Sequence, residues 1–183
     1  MARVIFLHGA SSAGKSTLAR ALQQALPDPW WHVSIDKLRD AGVLPLARFA
    51  TGEFDWTAAR APFFDGFHAS LGAYAAAGND LILEHILDTP GWLADLTRIL
   101  AGHDVLFVAL HCPLEVLEAR EAARGDRPVG SAAQDFRTIH TGLTYDLELQ
   151  SLDGVDVNVT RVIAALAEAP RRSVFARGGA PRP

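Results

Sequence analysis

The chain has 183 residues, 49% of them hydrophobic and 21% charged, with a formal net charge of −4. Those proportions describe one globular domain and exclude wholesale disorder, collagen and coiled coil; the acidic balance gives no basic field that would gather nucleic acid. One cysteine, Cys112, can form no internal disulfide, and no stretch approaches the ~20 apolar residues that a membrane span requires.

The elements alternate in chain order. Val4 to Leu7 is an apolar run too short for a signal-peptide core, so a cytoplasmic protein is expected. A helix follows from Lys15 to Leu26 and is stopped by Pro27 and Pro29. Trp31 to Ile35 reads as a second strand ending at Asp36, with a short helix after it. Thr57 to Ala77 is helical in pattern and closes on Gly78-Asn79. Leu81 to Leu83 is a third strand, ending at Glu84, and Pro90 opens a helix to Leu100. Val105 to Leu110 is apolar throughout, as a central parallel strand should be. Helices are expected over Pro113–Ala123 and Ala132–His140, a fifth strand over Tyr145–Leu149, and a last amphipathic helix over Val159–Ala169. This is the βα alternation of a parallel α/β sheet, here one domain over residues 1–169. Residues 170–183, with Arg171, Arg172, Arg177 and Arg182 among Gly and Pro, read as a disordered basic tail.

The strongest local signal is Gly9-Ala10-Ser11-Ser12-Ala13-Gly14-Lys15-Ser16, which fits G-x-x-x-x-G-K-S/T between a strand and a helix. A loop of this kind turns successive backbone N–H groups around an anion, and the helix start adds partial positive charge. The motif points to the triphosphate of ATP, with Lys15 on the β- and γ-phosphates, Ser16 on Mg²⁺, and Thr17 completing the contact set. Ligands of an open parallel sheet bind beyond the carboxyl ends of its strands, where Asp36 and Glu84 stand. Asp36 is the candidate base for an acceptor hydroxyl; the lesser alternative is that it only caps the helix that begins there. Glu84 is a further candidate, for a metal-bound water or the acceptor, and His85 and His111, also near strand ends, are candidates for substrate contact. Arg120, Arg124 and Arg127 cluster where one helix ends and a breaker-rich loop begins, the place for a lid that meets phosphate charge and excludes water.

Taken together, Phe6–Ser16 (FLHGASSAGKS), Asp36 after its strand, Ala119–Gly130 (AREAARGDRPVG) and His140–Leu147 (HTGLTYDL) resemble the chloramphenicol phosphotransferase family of small P-loop kinases. The resemblance covers most of residues 3–169 and implies a three-layer fold: a five-stranded parallel sheet, helices on both faces, and an arginine-bearing lid. It also implies ATP as donor, a small-molecule hydroxyl as acceptor, Asp36 as the activating base, and Lys15 with Ser16 serving phosphates and Mg²⁺. Arg120 and Arg124 would contact the nucleotide and Arg127 the transferring group. The chain departs from that family at Glu84-His85, where the antibiotic kinase has an acidic pair, and over Leu44 to Phe67. That second region carries Phe54, Trp56, Phe63, Phe64 and Phe67, and Phe54 is assigned with Glu84 and His85 to the acceptor pocket. Two alternatives are open at this point: a nucleoside or metabolite kinase of the same fold, and a regulatory protein that binds ATP without an acceptor. Oligomeric state is not written in the chain.

Overall fold

A computed structural model describes residues 1–124 and 130–176. Five strands form one parallel sheet in the order β2-β3-β1-β4-β5: β1 (Arg3–His8), β2 (Trp30–Ser34), β3 (Asp80–Glu84), β4 (Asp104–His111) and β5 (Leu147–Gln150). The helices are α1 (Lys15–Ala25), α2 (Ile35–Asp40), α3 (Leu46–Ala50), α4 (Trp56–Ala76), α5 (Trp92–Ile99), α6 (Leu114–Arg124), α7 (Ser131–Thr138) and α8 (Val155–Leu166).

The period of two along each strand divides the core. Val4 and Phe6 of β1, Leu81 and Leu83 of β3, and Val105 and Phe107 of β4 face Phe67 and Leu71 of α4 and Leu96 of α5. The alternate residues Ile5, Leu7, Ile82, Leu106 and Val108 face Leu18 and Leu22 of α1 and Val159 and Val162 of α8. Both faces are therefore covered, which explains why β4 is apolar at every interior position. Leu7 lies between Glu84 and Val108 in the parallel register, so β1 delivers the glycine loop to the middle of the sheet's carboxyl edge, with Glu84 beside it.

Several expected boundaries move for local reasons. α5 starts at Trp92 rather than Pro90, because Gly91 takes a left-handed φ of 93° and Trp92 N–H closes a turn onto Thr89 O. α8 starts four residues early, at Val155, after Gly154. β5 starts at Leu147 because Tyr145 turns into the core instead of joining the ladder, while Asp146 bonds Phe107 through both its amide and its carboxylate. The five-residue helix α3 had no sequence signal.

The tail expected from Pro170 is packed as far as Ala176. Arg171 donates to both carboxylate oxygens of Asp104, at 2.8 and 3.0 Å, to the Ala165 and Leu166 carbonyls in the last turn of α8, and to Glu168 O just beyond it. This is a cation satisfying a helix C-terminus. Asp146 accepts from the amides of Arg172 and Ser173, and Phe175 is buried against Phe6 and Phe107, with ring centroids 5.4 and 5.0 Å away. Composition alone reads as a solvated end, but Val174-Phe175 is apolar and the carboxylates of Asp104, in β4, and Asp146, just before β5, engage its neighbours. Residues 177–183 lie outside the described residues. Phe175→Ala should cost about 3–5 kcal/mol of unfolding free energy, the range for truncating a core phenylalanine. Urea denaturation checks this, and a loss below 1 kcal/mol would place Phe175 outside the core.

Candidate active site

The glycine loop is shaped by close approach and by backbone sign. A Cβ on Gly9 would sit 2.5 Å from Leu110 O of β4, so only glycine fits there. Gly14 has φ 101°, and Ser12 is the one non-glycine residue of positive φ among the described residues, at 65°. Lys15 is buried and its Nζ donates to Gly9 O and Ala10 O at 2.8 and 2.7 Å, folding the side chain back along the loop. Because α1 begins at Lys15, the amides of its first turn have no intrahelical acceptor, and Lys15, Ser16 and Thr17 line the cleft in front of them.

That cleft encloses about 670 Å³ and is bounded by the loop from Ser11 to Thr17, by Asp36 and Lys37 of α2, by Glu84, and by Arg120. A smaller hollow of about 100 Å³ adjoins it, walled by Phe64, His85, Ile86, Asp88 and Trp92. The two cavities share Lys15, Ser34, Asp36 and Glu84.

Asp36 is the second residue of α2. Ser34 holds the N-cap position, so Asp36 is not the cap; its side chain is about 40% exposed and its carboxylate lies 3.3 Å from Arg39. Glu84 is buried, accepting from Ser16 Oγ at 2.6 Å and pairing with His32 Nε2 at 3.0 Å. Lys37 Nζ donates to His32 Nδ1 at 2.6 Å, which leaves the His32 proton on Nε2, pointing at Glu84. Burial pushes the Glu84 carboxyl up, but the His32 hydrogen bond, the charge of Lys15 and the Ser16 hydroxyl together hold it below the usual range. The Ser16 and Glu84 oxygens thus stand together as hard donors at the foot of the loop. Among the described residues there is no group of three His, Cys, Asp or Glu that could hold a metal ion; a divalent cation held by Ser16 and Glu84 would take its other oxygens from water or bound phosphate.

On the other side of the sheet edge, Arg120 Nη1 lies against Ser12 O at 3.2 Å and Ala13 O at 3.4 Å. Glu121 ties α6 to the start of α7 by accepting from Gly130 and Ala132 amides, and Asp135 of α7 accepts from the Ser11 amide at 2.9 Å. The Arg124 side chain and all of Arg127 fall outside the described residues.

The structure brings Gly9–Thr17, Asp36, Glu84, His85 and Arg120 together. Phe54 is not among them: it packs on Phe49 under the Arg48 guanidinium, 3.8 Å away, and lines neither cavity. The structure therefore does not place Phe54 at the strand ends as expected; the aromatic rings that wall the smaller hollow are Phe64 and Trp92, which stack at 4.5 Å with Arg60 4.9 and 5.0 Å above them. Helical spacing accounts for the difference. Arg60, Phe64, Phe67 and His68 share one face of α4, whereas Phe54 precedes the helix. Nor does His111 reach the cleft; it bonds Glu148 at 2.8 Å and packs on His140. Trp92, His32 and Asp135 had no motif to announce them.

His85 shares a 2.9 Å contact with His68, Nε2 to Nε2. Burial, and next the His68 charge, push the His85 imidazole down to about 3. The unfolded chain therefore binds a proton that the folded chain refuses between pH 6.5 and about 3. Stability is full above pH 6.5 and falls with pH through that window. His85→Gln should flatten the slope of stability against pH by about 1.4 kcal/mol per pH unit between pH 6 and 4. Urea midpoints across that range measure it; an unchanged slope would mean that His85 titrates normally in the fold.

A family model described as "Chloramphenicol phosphotransferase-like protein" matches residues 2–168. A Mycobacterium tuberculosis H37Rv protein, provisionally named an O-phosphotransferase, is 32% identical over 168 residues, covering 81% of this chain and 75% of that one. Among solved structures, the APS kinase CysC of Mycobacterium tuberculosis in complex with AMPPNP and APS superposes with TM-score 0.66 at 20% identity, over 91% of this chain and 98% of that one. A gluconokinase from Sinorhizobium meliloti 1021 does so with TM-score 0.64 at 20% identity, over 90% and 91%. At that identity the likeness is one of fold. Among the described residues no helix is long and apolar enough to cross a membrane.

Proposed function

The chain belongs to the chloramphenicol phosphotransferase-like family of kinases, and on that premise we propose that it moves the γ-phosphate of ATP to a hydroxyl group of a small molecule. One observation carries the reading: a large polar cleft on the glycine loop and a small aromatic-walled hollow meet at Lys15, Asp36 and Glu84. Donor and acceptor would enter from opposite sides and react at the shared wall.

The loop amides and Lys15 hold the phosphates, and Arg120, from the end of α6, supplies further positive charge beside the loop. Ser16 and Glu84 are the residues that would hold Mg²⁺, which when bound offsets phosphate charge. Asp36 accepts the acceptor's hydroxyl proton as the new P–O bond forms and the bond to the leaving ADP breaks. Phe64, His85 and Trp92 give the acceptor a flat apolar wall, with His85 neutral at pH 7. Arg124 and Arg127 belong to the lid in this account. The protein is cytoplasmic in this reading, and its acceptor is a small-molecule alcohol, with hydroxylated antibiotics the first class to test because of the family resemblance.

ADP release, measured with chloramphenicol, other hydroxylated antibiotics, sugars and nucleosides in turn, tests the proposal. Stimulation by an alcohol of the antibiotic group is the expected outcome. Stimulation by nucleosides or sugars alone would make the protein a nucleoside or metabolite kinase. ATP binding with no stimulated turnover by any acceptor would make it a regulatory nucleotide-binding protein.

A further inference from the structure

The parallel ladder between β1 and β3 ends in an unusual way. His85 N–H donates to Leu7 O at 3.3 Å, and the next rung of a parallel ladder would join Leu87 N–H to Gly9 O. That carbonyl is taken by Lys15 Nζ, because the chain leaves the sheet at Gly9 to build the phosphate loop. Leu87 N–H would be left without an acceptor, a costly state for a half-buried amide. It donates instead to the side chain of His8, Nε2, at 3.1 Å.

This fixes a direction of hydrogen bonding. An amide N–H only donates, so His8 Nε2 accepts, and the neutral ring carries its proton on Nδ1. That proton points to Tyr145 Oη at 2.8 Å. The tyrosine hydroxyl, accepting from His8, gives its own proton to His140 Nδ1 at 2.7 Å. We propose that His8, Tyr145 and His140 form a directional positioning chain that holds the Leu87 amide, sets the acceptor wall made by its neighbours Ile86 and Asp88, and ties that wall to the segment following α7. The claim rests on the acceptor reading above only for what the wall is used for.

The environment favours neutral partners throughout. His8 is fully buried and held well below its ordinary range, by burial first and then by His140. Burial, and next His111, push His140 down to about 4, while burial raises the Tyr145 hydroxyl. No residue of the HTGLTYDL segment lines either cavity, so the hydrogen-bonded chain gives His140 and Tyr145 a task that direct contact with the reactants does not. None of the three touches the reacting atoms; they act through the loop that follows β3.

The test uses the full chain with nitrogen-15 in histidine and backbone. In the unaltered protein at pH 7, His8 should show its proton on Nδ1 and His140 on Nε2. Tyr145→Phe removes both hydrogen bonds while keeping the ring on Phe107, 4.5 Å away. The Leu87 amide should then exchange at least about tenfold faster relative to Ile82 in mid-strand, and the single His8 tautomer should be lost. Affinity for Mg·AMPPNP should stay within about twofold. Phe175→Leu is the control: it loosens the same core without touching the chain, and should speed Leu87 and Ile82 together. A His8 proton on Nε2 in the unaltered protein overturns the proposal without any variant. So does a Leu87 rate in Tyr145→Phe that moves no more than in the control. If no alcohol is phosphorylated but these signatures hold, the acceptor reading has failed and the chain has not.

Discussion

Asp36→Asn lowers phosphoryl transfer by about 10²- to 10⁴-fold, the contribution of a well-placed general base, and leaves the affinity for magnesium ATP within about twofold. The amide keeps the shape of the carboxylate but cannot take the acceptor's proton. Asp36 is half-exposed in the first turn of α2 and does not cap the helix, so the fold tolerates the change. What is lost is one of the two acids that line both cavities, the other, Glu84, being engaged by Ser16 and His32. Steady-state ADP release with the responsive alcohol, together with calorimetry for ATP, separates the two effects. A turnover within about threefold of the unaltered protein would move the base elsewhere on the wall.

Lys15→Met lowers turnover by on the order of 10²- to 10³-fold, the cost of deleting one preorganised charged donor. Folding survives the change for a local reason. Methionine has a similar length and removes a buried charge, and of the two carbonyls that Lys15 satisfies, Ala10 O also receives the Ala13 amide, at 3.2 Å. Thermal unfolding without nucleotide should therefore be close to that of the unaltered chain. A large drop in stability with normal turnover would make Lys15 a brace for the loop instead of a phosphate ligand.

The sheet was legible because its strands carry their own signature. Val4–Leu7, Leu81–Leu83 and Val105–Leu110 are short apolar runs bounded by breakers, and each became a strand of the parallel sheet. The glycine loop was legible for a different reason: Gly9 and Gly14 meet backbone requirements that no other residue satisfies cheaply. Asp36 and Glu84 followed from topology, since strand ends on one edge converge whatever lies between them in sequence.

Partner choice across the fold was not legible. Phe54 and Phe64 are both aromatic and ten positions apart; which one meets the hollow depends on where α4 begins and on the face it turns to the sheet. His85 and His111 each stand at the end of a strand, yet one is buried against His68 and the other bonds Glu148 at the surface. The residues after Pro170 misled because composition reports average solubility, whereas a single Phe175 slotted against Phe6 and Phe107 decides whether they pack. Asp135 reaches Ser11 from 124 positions away, a pairing that no local pattern contains.

Calorimetric titration with Mg·AMPPNP, compared with AMP, bears most directly on the claim that backbone amides at the start of α1 grip a triphosphate. The account predicts one site per chain, far weaker binding of AMP, and loss of most of the triphosphate affinity in Lys15→Met. Absence of heat with Mg·AMPPNP, or equal affinity for AMP, would contradict it.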